Sequence, residues 1–321
     1  MSVQDMENNR TADSISLVKT SGQDLLKVFE WLKSHLPLSW KLSCMLRETL
    51  EGRWKGQTWW VLQRQDSILA VGEGIPDENS EIINYLTKPR CTCYFSPNHV
   101  HAEMLLTWPG FIDWSEPCIF EMLSNDNAAV VGAVSKTNNG TDSFPRTIRC
   151  IAIVANPGDV KLRPVPRDLT MRDLDPLTDT DLVISTWKYS RAHADEFVRA
   201  LITHFPSVGL FDQNNRCLGF ELTLQDEKTG LLYVYRKVEV VDWAKVIISN
   251  LGHKNFALGL PAAALVCLWP MPPSLKMHLD LGSRLLCELP YVLHIPGDKF
   301  SGETVLRFTF LKSPIRALCT F

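Results

Sequence analysis

Three short strand-forming runs follow one another with no helix between them: Ser207–Phe211, Cys217–Leu224 and Leu231–Tyr235. Asp212-Gln213-Asn214-Asn215 and Asp226-Glu227-Lys228-Thr229-Gly230 separate them. Turn formers between apolar runs make hairpin loops, so the segment reads as an antiparallel meander. A helical pattern follows from about Val241 to Leu251, then a buried strand at Leu258–Leu268. Upstream lie a short strand at Leu169–Leu174, a helix opened by Thr178 and Asp181 and running through Trp187, and a second helix from about Ala192. That second helix gathers Phe197, Val198, Leu201, Ile202 and Phe205 on one face and stops at Pro206. A helix at Ser274–Leu281 and one or two final strands complete the order β-α-α-β-β-β-α-β-α-β. Such alternation predicts a mixed α/β fold, a central sheet covered by helices on both faces.

At 321 residues there is room for two domains. Residues 1–20 are polar and read as a loose segment. Ser21, with Asp24 three residues on, then predicts a helix start, and Leu25, Val28, Phe29, Leu32 and Leu36 recur at helical spacing up to Pro37. Strands are predicted at Thr58–Leu62 and Cys91–Phe95, and helices at Ser80–Leu86 and His99–Leu106. A loop by composition, Thr137 to Ser143, precedes a strand at Thr147–Val154 and a turn at Asn156-Pro157-Gly158-Asp159. The division is therefore 1–20, 21–160 and 161–321.

The net charge of −3 and the scattered basic residues give no reason to expect a nucleic acid or a membrane surface as partner. The longest apolar stretch, Phe256 to Met271, is broken by Pro261 and Pro270 and falls short of a membrane span. The nine cysteines lie mostly in apolar runs and read as buried thiols rather than disulfides. Cys91 and Cys93 form one C-x-C without a second cluster, and His99 and His101 would not share a helix face, so no metal is expected. His193 and His204 read as exposed, and His253 as a residue suited to a helix C-terminus. Asp5, Glu7 and Asp13 make the first residues a poor presequence. An intracellular, cytoplasmic location is the expectation.

Leu182 to Pro261 resembles the C-terminal half of the glycine N-acyltransferase family, through Trp187, Phe197-Val198, Phe205-Pro206-Ser207, Leu218-Gly219, Thr229-Gly230, Tyr235-Arg236, Val246-Ile247 and Leu258-Gly259. The first half is similar to that family's N-terminal domain through Leu25-Leu26-Lys27, Ser34-His35-Leu36-Pro37 and Phe111-Ile112-Asp113-Trp114. The resemblance implies two acetyltransferase-like domains and transfer of an acyl group from acyl-CoA, a co-substrate rather than a permanent cofactor, to the amine of glycine or another amino acid. It also implies mitochondrial residence as an alternative location. In this family a loop and a helix N-terminus hold the CoA pyrophosphate, as unpaired amides and the helix dipole favour an anion. That loop corresponds here to Arg236, Lys237, Val238, Glu239, Val240 and Val241. Arg236 fits the family's pattern, whereas Glu239 and Val241 stand where it has small residues.

The family's general base is a glutamate just after Thr-Gly, and the residue here is Leu231. Leucine accepts no proton. Asp226 and Glu227 are the nearby carboxylates that could substitute if the hairpin shifts. Two readings follow: an acyl-CoA-dependent N-acyltransferase, or a silent relative that binds acyl-CoA or a protein partner without turnover.

Overall fold

The computed structural model describes residues 15–73, 90–140, 146–187, 190, 194–235, 240–268 and 273–299. The helix expected at Ser80–Leu86 lies outside them. The described chain is one element series read twice. The first pass is β1 (Ile15–Thr20), α1 (Asp24–Lys33), α2 (Trp40–Leu50), β2 (Trp59–Arg64), β3 (Ser67–Glu73), β4 (Arg90–Phe95), α3 (His99–Leu106), β5 (Cys118–Phe120), α4 (Asn125–Thr137), β6 (Arg146–Ile148) and β7 (Cys150–Ala155). The second is β8 (Thr170–Arg172), α5 (Thr180–Thr186), α6 (Ala194–His204), β9 (Ser207–Phe211), β10 (Cys217–Thr223), β11 (Thr229–Val234), α7 (Val240–Ala257), β12 (Ala262–Cys267), α8 (Pro273–Asp280), β13 (Arg284–Glu288) and β14 (Tyr291–His294).

Each pass builds a seven-stranded mixed sheet, and the two sheets exchange their last strands. The first runs β1-β2-β3-β4-β5-β14-β6 and the second β13-β7-β12-β11-β10-β9-β8. Strand exchange crosses the expected division at residue 160: β7, before it, joins the second sheet, and β14, after it, joins the first. The run expected as one strand, Thr147–Val154, breaks at Arg149, because β6 pairs with β14 while Cys150 pairs with Cys267 of β12. The segment expected to be loose also needs correction, since Ile15–Thr20 pairs along its whole length with β2.

Local chemistry accounts for the elements that cover the sheets. On α6, Phe197, Val198, Leu201 and Ile202 are buried on one side, as the 3.6-residue period requires. Ser124 caps α4 by accepting from the Asn127 N–H at 3.2 Å, and Asn98 caps α3 by accepting from Val100 and His101. The two capping boxes expected from sequence are absent. The N-cap of α1 is Gln23 and that of α5 is Asp179, and neither side chain bonds the helix. The Asp179 carboxylate instead accepts from the Asp175 N–H and from Arg172, both at 2.7 Å. No helix among the described residues is long and apolar enough to cross a membrane.

The halves are locked by side chains as well as strands. Trp54, from the loop after α2, is buried in the second half's core, edge-on to Phe197 at 6.0 Å and tilted against Phe205 at 5.8 Å. The hairpin joining β10 to β11 reaches back in return. Arg47 of α2 grips Glu227 of that hairpin through two nitrogens, Nε at 2.6 Å from Oε1. The Trp40 indole donates to the Asp226 carbonyl at 3.4 Å, and Lys41 stands 3.9 Å from the Asp226 carboxylate.

Candidate active site

The centre of the second sheet carries two irregularities side by side. In the β10–β11 ladder Phe220 pairs with Tyr233 but Leu222 pairs with Gly230, so Leu231 and Leu232 together face Glu221. This is a β-bulge, which leaves one residue out of the ladder and bends its strand. Leu231 takes the bend with φ +55°, a left-handed backbone that leucine adopts only under constraint. On its other edge β11 runs parallel to β12, and the two meet at one pair, Thr229 with Ala264, before diverging. The corresponding strands of the first half, β4 and β5, stay in register over three pairs. The second sheet therefore splays between β11 and β12.

Helix α7 leaves the diverging end and packs back over the sheet. Gly219 permits that approach: a Cβ there would lie 2.7 Å from Ile247 of α7 and 2.7 Å from the Tyr233 carbonyl. Alternation along β10 then puts Glu221 and Thr223 on the face of Gly219, toward α7, and Thr223 indeed donates to Asn255 of α7 at 3.0 Å. Glu221 is completely buried there, and neither carboxyl oxygen makes a hydrogen bond of acceptable geometry. Burial pushes its carboxyl up to about 8, opposed only by the nearby Thr229 hydroxyl, which favours the ionised form.

The residues expected from sequence fall in three places. Leu231 is at the bulge, its side chain half-buried against the cluster of Phe197, Phe220 and Leu222. Asp226 and Glu227 are not solvated loop carboxylates. Both are fully buried, Asp226 between Lys41 and Lys228 and Glu227 on Arg47, so cations from both halves occupy them. Of the loop expected to hold a pyrophosphate, Arg236, Lys237, Val238 and Glu239 lie outside the described residues, and Val240 and Val241 open α7. Among the histidines, His99 is exposed 3.9 Å from Asp126, His204 ends α6, His253 contacts the Val160 carbonyl at 3.2 Å, and His193 lies outside the described residues.

Glu221 was missed from sequence because a lone acid in the run Cys217-Leu218-Gly219-Phe220-Glu221-Leu222 carries no motif. The signal lay in alternation: Glu221 shares a face with Gly219, the residue that lets α7 close over it.

A second charged cluster sits where the halves meet. Burial alone would lower Lys41, but Cys93, Glu121 and Asp226 hold it well above the ordinary lysine range. Against burial, Lys41 and Lys228 pull Glu121 down to about 2. Glu73 is pushed up to about 7 by burial, with Lys41 opposing. Lys41 and Lys228 thus neutralise Glu121 and Asp226 inside the interface, while Glu73 is held toward its neutral form.

Solved structures share this architecture. A Drosophila protein from a structural genomics programme matches at TM-score 0.70 and 13% identity, over 88% of this chain and 99% of its own. A GCN5-related N-acetyltransferase from Sphaerobacter thermophilus matches at 0.54 and 11%, over 87% and 94%. A tandem GNAT protein of the clavulanic acid biosynthesis pathway matches at 0.50 and 10%, over 87% and 98%. The chain is a tandem GNAT fold. No protein-family model and no curated sequence matches it. In this GNAT frame the bulge, the splay and α7 all belong to the second repeat.

Proposed function

We propose that the second GNAT repeat is an acyl-CoA-dependent N-acyltransferase acting on the amine of glycine or another amino acid. One observation carries the reading: β11 bulges at Leu231 and parts from β12 immediately after Thr229–Ala264. A parting parallel pair exposes backbone N–H and C=O groups along one strand edge, which suits an extended amide-bearing chain such as pantetheine. The thioester then lies at the apex, beside the bulge, where an unpaired N–H is placed to polarise its carbonyl. The pyrophosphate falls to the segment 236–239 and the N-terminus of α7, an 18-residue helix. The amine attacks the carbonyl carbon, the C–N bond forms and the C–S bond breaks. The choice of an amino-acid acceptor rests on the resemblance to glycine N-acyltransferases.

A second reading, acyl-CoA binding without turnover, is favoured by Leu231 at the expected base position and by Glu239 in the expected anion loop. Thermal unfolding with acetyl-CoA and benzoyl-CoA tests what both readings share. Ligand at about 100 times its Kd should add about 2.7 kcal/mol, and no shift with either would overturn both. Replacing Glu239 with glycine removes a negative charge beside the pyrophosphate and should tighten acyl-CoA binding. Unchanged or weaker binding by calorimetry would place the anion elsewhere.

A further inference from the structure

We propose that Glu221, acting through the Thr229 hydroxyl, accepts the proton that the incoming amine must lose. The assignment rests on the reading of the β11–β12 apex as the acyl-transfer site. Glu221 faces the bulge directly across the β10–β11 ladder, and both its oxygens are buried without a satisfactory partner. A buried carboxyl left in that state costs stability, so its retention calls for a task. Thr229 pairs with Thr223 and so stands on the same face of the sheet as Glu221, one step along the ladder, and Thr229 is also the residue at which β11 pairs with β12. Its hydroxyl therefore lies on the carboxyl's side of the sheet, at the pair where the groove begins.

The elements packed around Glu221 leave it no competing charge among the described residues. Its partner on β9 is Val208, and β11 contributes Thr229 and Leu232. On α7, Asp242 is exposed, Lys245 is tied to Asp280, His253 to the Val160 carbonyl and Lys254 to Asp173. The carboxylates considered from sequence are already held by cations, and Leu231 has no basic atom.

The step balances. An ammonium proton passes to Thr229 Oγ1 as that hydroxyl gives its own proton to a Glu221 oxygen. The freed nitrogen lone pair forms the bond to the thioester carbonyl carbon, the C–S bond breaks, and the departing CoA thiolate takes the second proton from nitrogen.

The test is acyl transfer from acetyl-CoA to glycine, and to phenethylamine as an amine without a carboxylate, between pH 6 and 10. Glu221→Gln and Thr229→Val should each lower kcat/KM about 10²- to 10⁴-fold at neutral pH. Both should remove the rise in rate that accompanies ionisation of the wild-type base, leaving a rate that follows the amine's own deprotonation. Thr229→Ser should keep most of the rate, and acetyl-CoA affinity should stay within threefold throughout. A wild-type pH profile in Glu221→Gln, or full activity in Thr229→Val, would overturn the proposal. So would a wild-type chain that binds acetyl-CoA yet acylates neither amine at any pH, which leaves the CoA site standing. Absence of acetyl-CoA binding would overturn the function itself and this role with it.

Discussion

Replacing Arg47 with methionine is expected to destabilise the folded chain by about 3–5 kcal/mol. The Glu227 carboxylate is fully buried and Arg47 is the cation that grips it, so the change strands a charge in the interface between the repeats. Arg47 itself is 33% exposed, and water reaching that end places the effect toward the lower figure. Removing both charges, with Arg47→Met and Glu227→Gln together, should recover most of the loss, because the stranded ion rather than the missing attraction dominates. Urea titration of the wild type, both single variants and the double variant measures the coupling. The exposed pair Lys27–Asp24 supplies the contrast, since breaking it should cost less than about 1 kcal/mol. Equal effects from both pairs would show that the hairpin is not a lock.

Stability is expected to fall as pH rises from about 6.5 to 8. Glu221, raised to about 8 by burial, and Glu73, raised to about 7, keep protons in the folded chain that their unfolded forms release near 4.5. The unfolded state therefore binds fewer protons through this window, and each such carboxyl lowers stability as pH rises. His278 works the other way. Burial lowers it to about 4 from 6.5 and lowers His294 as well, so the unfolded chain takes up these protons first and stability is lost on acidification below 6.5. The slope should thus be slight below pH 6.5, where His278 and His294 oppose the two carboxyls, and steeper just above it. Glu221 alone contributes a ceiling of about 5 kcal/mol over its interval. Glu221→Gln should abolish the fall above pH 7, because Glu73 has by then released its proton and the two histidines act only below 6.5. Chemical denaturation at pH 5, 6.5, 8 and 9 reads the difference. A wild-type stability that is level or rising over this range would refute the buried, protonated state of Glu221.

Sequence carried most of the second repeat, and the reason is periodicity. Ser207–Phe211 is delimited to the residue by Pro206 and Asp212, and α6 by its apolar face. The first repeat was harder. In α2, Lys41, Ser43 and Glu48 are buried beside the apolar residues, so no clean stripe marks it: Lys41 finds Glu121 and Asp226 far along the chain, while Ser43 pairs with Ser39 and Glu48 with Arg53 nearby. β5 and β6 are three residues each, too short to show alternation. The exchanged strands were invisible for a different reason. Tyr291–His294 would complete a sheet of either repeat equally well, and only three dimensions decide which. The candidate site divides the same way. Leu231 was found by its place after Thr229-Gly230, whereas Glu221 depends on which face of β10 receives α7.

The strand exchange also sets a timetable for synthesis. When Ile148 leaves the ribosome, the first sheet has an open slot between β5 and β6, and the strand that fills it begins at Tyr291. At roughly 5–20 residues per second the slot stays open for about 7–30 seconds. Through that interval the nascent chain shows two unpaired strand edges to anything extended, including the β14 of a chain finishing on a neighbouring ribosome. A slowly translated copy is thus the one most exposed to pairing with a sibling instead of with itself.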